Sequence, residues 1–142
     1  DAIINDKYFN CILLKYGYAV TCHKAQGGEW ANAFTCLCIA LGHDARKVID
    51  WTDHVWTEVY IDSYQRWVHL DSCENIIDQP LTYEKGWGKK LNYVIAISTY
   101  DVTDVTNRYV IDQSDNISRR DKVDEKWLAD TLRKKRESLW EM

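Results

Sequence analysis

The chain has 142 residues, and 46% of them are hydrophobic, which is enough for one domain with a single core. Its formal net charge of -4 gives no electrostatic basis for general nucleic-acid binding. Five irregularly spaced cysteines argue against a secreted disulfide framework, and no apolar run is as long as a membrane span. We therefore expect a soluble domain of a reducing compartment, with neither nucleic acid nor membrane as a partner.

The first third of the chain predicts a strand, a loop and a helix. Residues 18–22 are small, β-branched and aromatic, which is typical of a buried strand, and the pair Gly27 and Gly28 marks a loop. Over residues 29–41, apolar side chains recur at three- and four-residue steps, which predicts a helix that Gly42 ends. Because nearly every other position is also small or apolar, we expect this helix to be buried on most sides.

A β-hairpin follows a predicted strand over residues 45–51, and it carries the first candidate functional residues. Apolar and polar side chains alternate from His54 to Ile61, and a second strand returns over residues 66–71. A two-residue loop would place His54 directly opposite Asp71. A four-residue loop would leave Asp71 on the diagonal, and in either register the two side chains share one face within reach of each other.

An imidazole beside a carboxylate is the base-and-orienter half of a catalytic triad. The same cross-strand pair also occurs with a purely structural role, so the spacing alone leaves both interpretations open. The missing group is a nucleophile. A cysteine at a helix N-terminus is more readily a thiolate, but here Gly27 stands near the predicted helix start and Cys22 lies on the preceding strand.

The remaining elements complete the predicted architecture. Residues 72–90 form a long connection, residues 91–98 and 102–109 read as strands, and residues 119–142 have the composition of a helix. One buried helix packed on an antiparallel sheet, with a C-terminal helix, is an α+β layer arrangement. A nucleophile at the start of that helix, facing His and Asp on neighbouring strands, is the arrangement of transglutaminase-like and papain-like cysteine hydrolases.

Several long motifs closely resemble the cytoplasmic peptide:N-glycanase family. They occupy residues 29–32, 52–60, 66–75, 83–91 and 93–96, with later matches at residues 104–109 and 119–120. The resemblance covers roughly residues 28–135. It implies a transglutaminase-like fold and hydrolysis of the amide that links an N-glycan to asparagine on misfolded glycoproteins. It also implies that His54 is the catalytic histidine and Asp71 the catalytic aspartate. Separately, Trp30 and Trp56 are substrate-lining candidates and, with Trp87, could supply stacking faces for a ligand, with a place in the core as the alternative.

The chain departs from the family pattern at the nucleophile. The family runs Cys-Gly-Glu-Trp-Ala-Asn, whereas residues 27–32 run Gly-Gly-Glu-Trp-Ala-Asn, so Gly27 occupies the cysteine position. The family also has a zinc site built from two C-x-x-C pairs, which this chain lacks, and we expect no metal or cofactor. The resemblance further implies an N-glycosylated unfolded protein or glycopeptide as partner, and a ubiquitin-shuttle receptor as another.

The N-terminal residues resemble a different family. The run from Thr21 to Glu29 is similar to the late T-x-H-K-x-Q-G-x-E motif of superfamily-one DNA helicases. We therefore predict a chimeric chain, with a helicase-like strand and loop over residues 1–28, a transglutaminase-like core over residues 29–110 and a C-terminal helix over residues 111–142. Three functions stay open: an amidase impaired by the missing cysteine, a non-catalytic module that binds glycan or peptide, and an interaction module or artificial scaffold.

Overall fold

The structure is a computed structural model, and it describes residues 30–141. The predicted N-terminal strand, the helicase-like segment and Gly27 lie outside these residues. The regular elements are α1 (residues 30–40), β1 (Ala45–Asp50), β2 (His54–Ile61), β3 (Arg66–Asp71), β4 (Ile76–Ile77), β5 (Val94–Ile97), β6 (Val102–Asp104), α2 (Gln113–Arg119) and α3 (Glu125–Trp140). A π-helical turn over Thr82–Gly86 lies between β4 and β5.

The described strands form one antiparallel sheet in the order β4–β3–β2–β1–β5–β6. Within the central hairpin, Ile61 pairs with Arg66, so the connecting loop spans the four residues between them. The last loop residue, Gln65, has a positive φ of 50° and turns the chain into β3. This is the longer of the two loops considered above, and it places Asp71 diagonally across from His54.

Helix α1 packs on one face of this sheet through a single stripe of side chains. Ala31, Thr35 and Cys38 are buried, and the hydroxyls of Thr35 and Thr57 are hydrogen-bonded at 2.8 Å. The core on this side contains Cys38, Ala45, Val59, Val68 and Leu70. Leu37, Ile39 and Leu41 are exposed. The expectation that the helix is buried on most sides is therefore wrong for the described residues, because a helix on a flat sheet contacts it along one stripe only.

The opposite face of the sheet carries the aromatic core and a buried ionic network. The core residues are Val48, Trp56, Tyr83, Leu91, Val94, Ala96, Val105, Tyr109 and Val110. Glu58 is fully buried beside them. Its carboxylate lies 2.6 Å from Arg46 Nη2 and 2.8 Å from Arg108 Nη1, and it accepts a hydrogen bond of 2.6 Å from the Tyr109 hydroxyl. Two guanidinium groups thus compensate one buried carboxylate.

The C-terminal part differs from the predicted single helix over residues 111–142. It contains α2 and α3, and each begins at its own aspartate cap. The Asp112 side chain accepts hydrogen bonds from the first turn of α2, and Asp124 accepts one of 2.8 Å from the Trp127 backbone N–H. Arg120 lies between the helices and pairs with Asp104 at 2.6 Å. Within residues 30–141, no helix combines the length and apolar character that crossing a bilayer requires.

The predicted strand over residues 102–109 is also too long. Strand β6 ends at Asp104, because the Asp104 carboxylate accepts hydrogen bonds from both the backbone N–H and the hydroxyl of Thr106. These contacts turn the chain into a short 3-10 helix over Thr106–Arg108. Likewise the strand predicted over residues 91–98 is confined to Val94–Ile97.

Candidate active site

His54 and Asp71 meet at one end of the central hairpin. His54 is the first residue of β2 and Asp71 the last of β3, and the diagonal register brings His54 Nε2 to 2.7 Å from Asp71 Oδ2. The His54 side chain keeps 18% of its surface exposed, whereas that of Asp71 keeps 1%. The sequence pattern predicted this contact, and the structure brings the two residues together. Their catalytic roles stay a prediction.

Four hydrogen bonds hold the Asp71 carboxylate. Oδ2 accepts from His54 and from the Tyr83 hydroxyl at 2.9 Å, and Oδ1 accepts from the backbone N–H groups of Cys73 at 2.9 Å and Glu74 at 3.1 Å. Burial by itself would raise the pKa of Asp71, but the hydrogen bond and charge of His54 and the bonds from Tyr83 and Glu74 lower it overall. Asp71 is therefore ionised at neutral pH and acts only as an acceptor.

The ionised carboxylate fixes which nitrogen of His54 carries the proton. Asp71 requires a donor, so Nε2 bears the hydrogen and Nδ1 is the basic nitrogen. The imidazole is enclosed by aromatic rings, with centroid distances of 5.8 Å to Trp56, 5.2 Å to Tyr83 and 5.2 Å to Trp87. These contacts restrict the ring, so that Nδ1 is presented in one orientation.

Tyr83 and His69 extend the pair inward. His69 is fully buried, and its Nε2 lies 2.7 Å from the Tyr83 hydroxyl oxygen. Burial lowers the pKa of His69 to about 4, and burial together with the charge of Asp71 raises the pKa of Tyr83. Both side chains are therefore neutral at pH 7. Sequence reasoning missed this part of the site. His69 shares a strand face with Asp71, but no periodic signal connects either residue to Tyr83.

The tryptophans predicted to line the site have different environments. Trp56 is fully buried and stacks on Tyr83 at a centroid distance of 4.4 Å, so it belongs to the core beneath His54 and not to a substrate-lining wall. Trp30 is 42% exposed in the first described turn of α1. Trp87 is 44% exposed and meets His54 edge to face. It is therefore the tryptophan best placed to contact a ligand beside the imidazole.

Two of the described cysteines, Cys38 and Cys73, are unsuited to be the missing nucleophile. Cys38 is buried in the core under α1, and burial raises its pKa to about 11. Cys73 follows Asp71 closely, but burial and the charges of Asp71 and Glu74 raise its pKa to about 11. A thiol with such a pKa is almost entirely protonated at neutral pH and is a poor nucleophile. Gly27, the position of the family nucleophile, lies outside the described residues.

The described residues also do not fit the zinc site of the resemblance. Between residues 30 and 141, no three side chains of His, Cys, Asp or Glu are grouped so that they could hold a metal ion. The described cysteines are Cys36, Cys38 and Cys73, and Cys36 is exposed whereas Cys38 is buried. Two cysteines that bind the same metal ion would both have to point towards it, and Cys36 and Cys38 differ too much in exposure to do so. We therefore derive no chemical step from a metal.

A helix on one face of an antiparallel sheet, with a His–Asp pair where two adjacent strands meet at one end, defines a transglutaminase-like protein. Comparison with family models agrees with this class. Residues 50–140 match the Rad4 transglutaminase-like domain, and residues 15–72 match the transglutaminase-like superfamily. The chain belongs to the Rad4 transglutaminase-like domain family, and the predicted α+β fold is confirmed.

Curated relatives carry the name peptide-N(4)-(N-acetyl-beta-glucosaminyl)asparagine amidase, which confirms the resemblance seen in the motifs. The human relative is 59% identical over 105 residues, which cover 74% of this chain and 16% of the relative. The Arabidopsis thaliana relative is 54% identical over 110 residues, covering 78% of this chain and 15% of the relative. The Drosophila melanogaster relative is 47% identical over 109 residues, which cover 77% of this chain and 17% of the relative. The chain spans about a sixth of these relatives' length.

Proposed function

We propose that this chain is a peptide:N-glycanase-like amidase core that keeps its base and its orienter but has glycine in place of its nucleophile. Its substrate class is an N-glycosylated unfolded protein or glycopeptide, met in the cytoplasm during removal of misfolded glycoproteins. The observation that carries the proposal is the 2.7 Å contact of His54 with a buried, fully hydrogen-bonded Asp71. The name of the relatives indicates which bond would be cleaved, the amide between the glycan and the asparagine side chain.

The chemistry needs a thiolate at the position of Gly27. The thiolate attacks the side-chain amide carbon of the glycosylated asparagine, and His54 Nδ1–H gives its proton to the leaving glycosylamine nitrogen as the C–N bond breaks. Water then attacks the thioester, His54 Nδ1 takes the water proton, and the products are aspartate and the free thiolate. Asp71 stabilises the imidazolium form of His54 throughout.

Glycine cannot perform either step. In triad hydrolases, removing the nucleophile eliminates most of the rate and leaves only what binding and oxyanion stabilisation supply. We therefore expect activity to be lost or strongly impaired in the chain as it stands. A cysteine restored at this position would find the base already oriented, because the His54–Asp71 contact does not depend on any described cysteine side chain.

The test compares the parent with Gly27→Cys on a denatured N-glycopeptide, with conversion of asparagine to aspartate followed by mass spectrometry. We expect conversion only in Gly27→Cys, and none when His54→Ala is added to it. A second control, Cys22→Ser in the parent, tests whether Cys22 acts as the nucleophile. If the parent converts asparagine to aspartate and Cys22→Ser does not, Cys22 is the nucleophile. No conversion in any variant would contradict the amidase assignment.

A binding function is the second candidate, and the exposure of Trp87 beside His54 favours it. An indole face at this position could stack on a sugar ring while the chain lacks catalytic power. Titration with an N-glycan oligosaccharide, followed by Trp fluorescence, should then show a change that Trp87→Ala removes. An unchanged spectrum at millimolar ligand would count against binding.

An interaction role rests on helix α3. Trp127 and Trp140 are exposed on this helix, and a ubiquitin-shuttle receptor is the partner that the family resemblance suggests. A pull-down with such a receptor should weaken when both tryptophans are replaced by alanine. If neither catalysis nor binding is found, the remaining proposal is an artificial scaffold.

A further inference from the structure

A chain of hydrogen bonds runs from His54 through Asp71 and Tyr83 to His69, and only one arrangement of its protons is possible. The Tyr83 hydroxyl has a single proton, and it lies between Asp71 Oδ2 at 2.9 Å and His69 Nε2 at 2.7 Å. The ionised carboxylate can only accept, so the hydroxyl proton goes to Asp71. The hydroxyl oxygen must then accept from His69. His69 is consequently in the tautomer that carries its proton on Nε2.

The other nitrogen of His69 agrees with this direction. Among the described residues, His69 Nδ1 is buried and has no hydrogen-bond partner. In the Nε2–H tautomer, Nδ1 carries only a lone pair, whereas the opposite tautomer would bury an unpaired N–H donor. Buried N–H groups without a partner are the rarer case in folded proteins. Two observations, the acceptor-only carboxylate and the unpartnered Nδ1, thus point to the same proton arrangement.

We propose that Tyr83 is a positioning residue for His54, that it acts through the shared oxygen Oδ2 of Asp71, and that His69 Nε2–H donates to the Tyr83 hydroxyl and strengthens its bond to Oδ2. The proposal deepens the proposed function, because it concerns the same His54. Its tests measure proton positions and not turnover. Failure of the amidase assignment and failure of this inference are therefore distinguishable.

The geometry explains how Tyr83 would act on His54. Two backbone N–H groups hold Asp71 Oδ1, so the carboxylate keeps its orientation even without Tyr83. The positive end of the Tyr83 hydroxyl lies against Oδ2 and offsets part of the negative charge that His54 meets there. The aromatic rings that contact the imidazole, those of Trp56, Tyr83 and Trp87, are neutral, and so is His69. Among the described residues, the Asp50 carboxylate also lies on this face, at the strand position opposite His54, and Lys89 Nζ offsets its charge at 2.6 Å.

The first test uses the unaltered chain. Long-range ¹H–¹⁵N NMR correlations distinguish the two neutral tautomers of a histidine. We expect His69 to carry its proton on Nε2 and to stay neutral from pH 7 down to pH 5. A proton on Nδ1 would overturn the inference, because the Tyr83 hydroxyl would then have to donate to His69 and could not donate to Asp71.

The second test removes the hydroxyl. In Tyr83→Phe, the charge on Oδ2 acts on His54 without offset, and we expect the pKa of His54 to rise by about half a unit in an NMR titration. Tyr93→Phe is the matched control, because Tyr93 is also buried but its hydroxyl accepts from the Lys122 backbone N–H at 3.1 Å. An unchanged or lowered pKa of His54 in Tyr83→Phe, or an equal rise in Tyr93→Phe, would overturn the proposal.

A further pair of variants keeps the inference testable if Tyr83→Phe does not fold. His69→Gln retains an N–H donor that can reach the Tyr83 hydroxyl, whereas His69→Leu removes it. We expect the pKa of His54 to stay at its parent value in His69→Gln and to shift in His69→Leu. The same pKa of His54 in both variants would show that the donation from His69 does not affect the bond between the Tyr83 hydroxyl and Asp71.

Discussion

The buried His69 makes the stability of the fold depend on pH in a defined window. Its pKa is lowered from the ordinary value of 6.5 to about 4 by burial, which outweighs the attraction of Asp71 and Asp78. At pH values between 4 and 6.5, His69 is mostly protonated in the unfolded chain and mostly neutral in the folded chain. Stability is therefore fully present above pH 6.5 and falls as the pH is lowered towards 4. The whole effect is about 3 kcal/mol, and about 2 kcal/mol of it falls between pH 7 and pH 4.5.

The perturbation that isolates this term is His69→Gln, since glutamine does not titrate. The assay is urea unfolding of the parent and the variant at pH 7 and at pH 4.5. With a typical slope of about 2 kcal/mol per molar urea, the midpoint of the parent should fall by roughly 1 M more than that of the variant. Asp71 does not interfere, because its pKa is lowered from 3.8 and its contribution is lost only below this window.

The change in urea midpoint between pH 7 and pH 4.5 isolates the titration of His69, because any loss of packing in His69→Gln lowers stability equally at both pH values. Equal midpoint changes in parent and variant would refute the reasoning. They would mean that His69 takes up its proton in the folded state as readily as in the unfolded chain.

Three further changes test the ionic and capping contacts by urea unfolding. Glu58→Gln removes the buried charge that compensates Arg46, and we expect a loss of about 3–5 kcal/mol. Lys89→Met removes the cation that lies 2.6 Å from the buried Asp50 carboxylate and should cost about 2 kcal/mol. Asp124→Ala removes the N-cap of α3 and should cost about 1 kcal/mol.

Each change has a matched control. Glu137→Gln alters an exposed partner of Arg133, so a loss as large as in Glu58→Gln would show that burial is not the cause. Lys90→Met changes an exposed neighbour of Lys89 and should leave the midpoint nearly unaltered. Asp124→Asn keeps a capping oxygen, and a loss equal to that of Asp124→Ala would argue against the cap.

The central hairpin could be predicted from the sequence because two signals agreed. Period-two alternation placed His54 and Asp71 on one face, and the loop length limited the register to two choices. The choice itself could not be made, because residues 62–65 contain no glycine and the positive φ falls on Gln65. The left-handed conformation of a glutamine has no clear sequence signature.

Other features could not be predicted, and the reasons are physical. The apolar composition of α1 indicates burial, but it does not say which stripe faces the sheet. Tyr83 reaches Asp71 from a π-helical turn, and neither period of regular structure connects the two. The break between α2 and α3 depends on Asp124, whose capping geometry is local, whereas the charged composition on both sides is continuous.

The most direct test of the account measures the reactivity of a thiol placed beside His54. An ordinary cysteine is only about 0.3% thiolate at pH 6, whereas a cysteine paired with an imidazolium is largely ionised. In Gly27→Cys, we predict alkylation at pH 6 that is at least about tenfold faster than any in the parent, and that the addition of His54→Ala or Asp71→Ala abolishes. Alkylation no faster than in the parent would contradict the claim that His54 and Asp71 are oriented to activate a nucleophile.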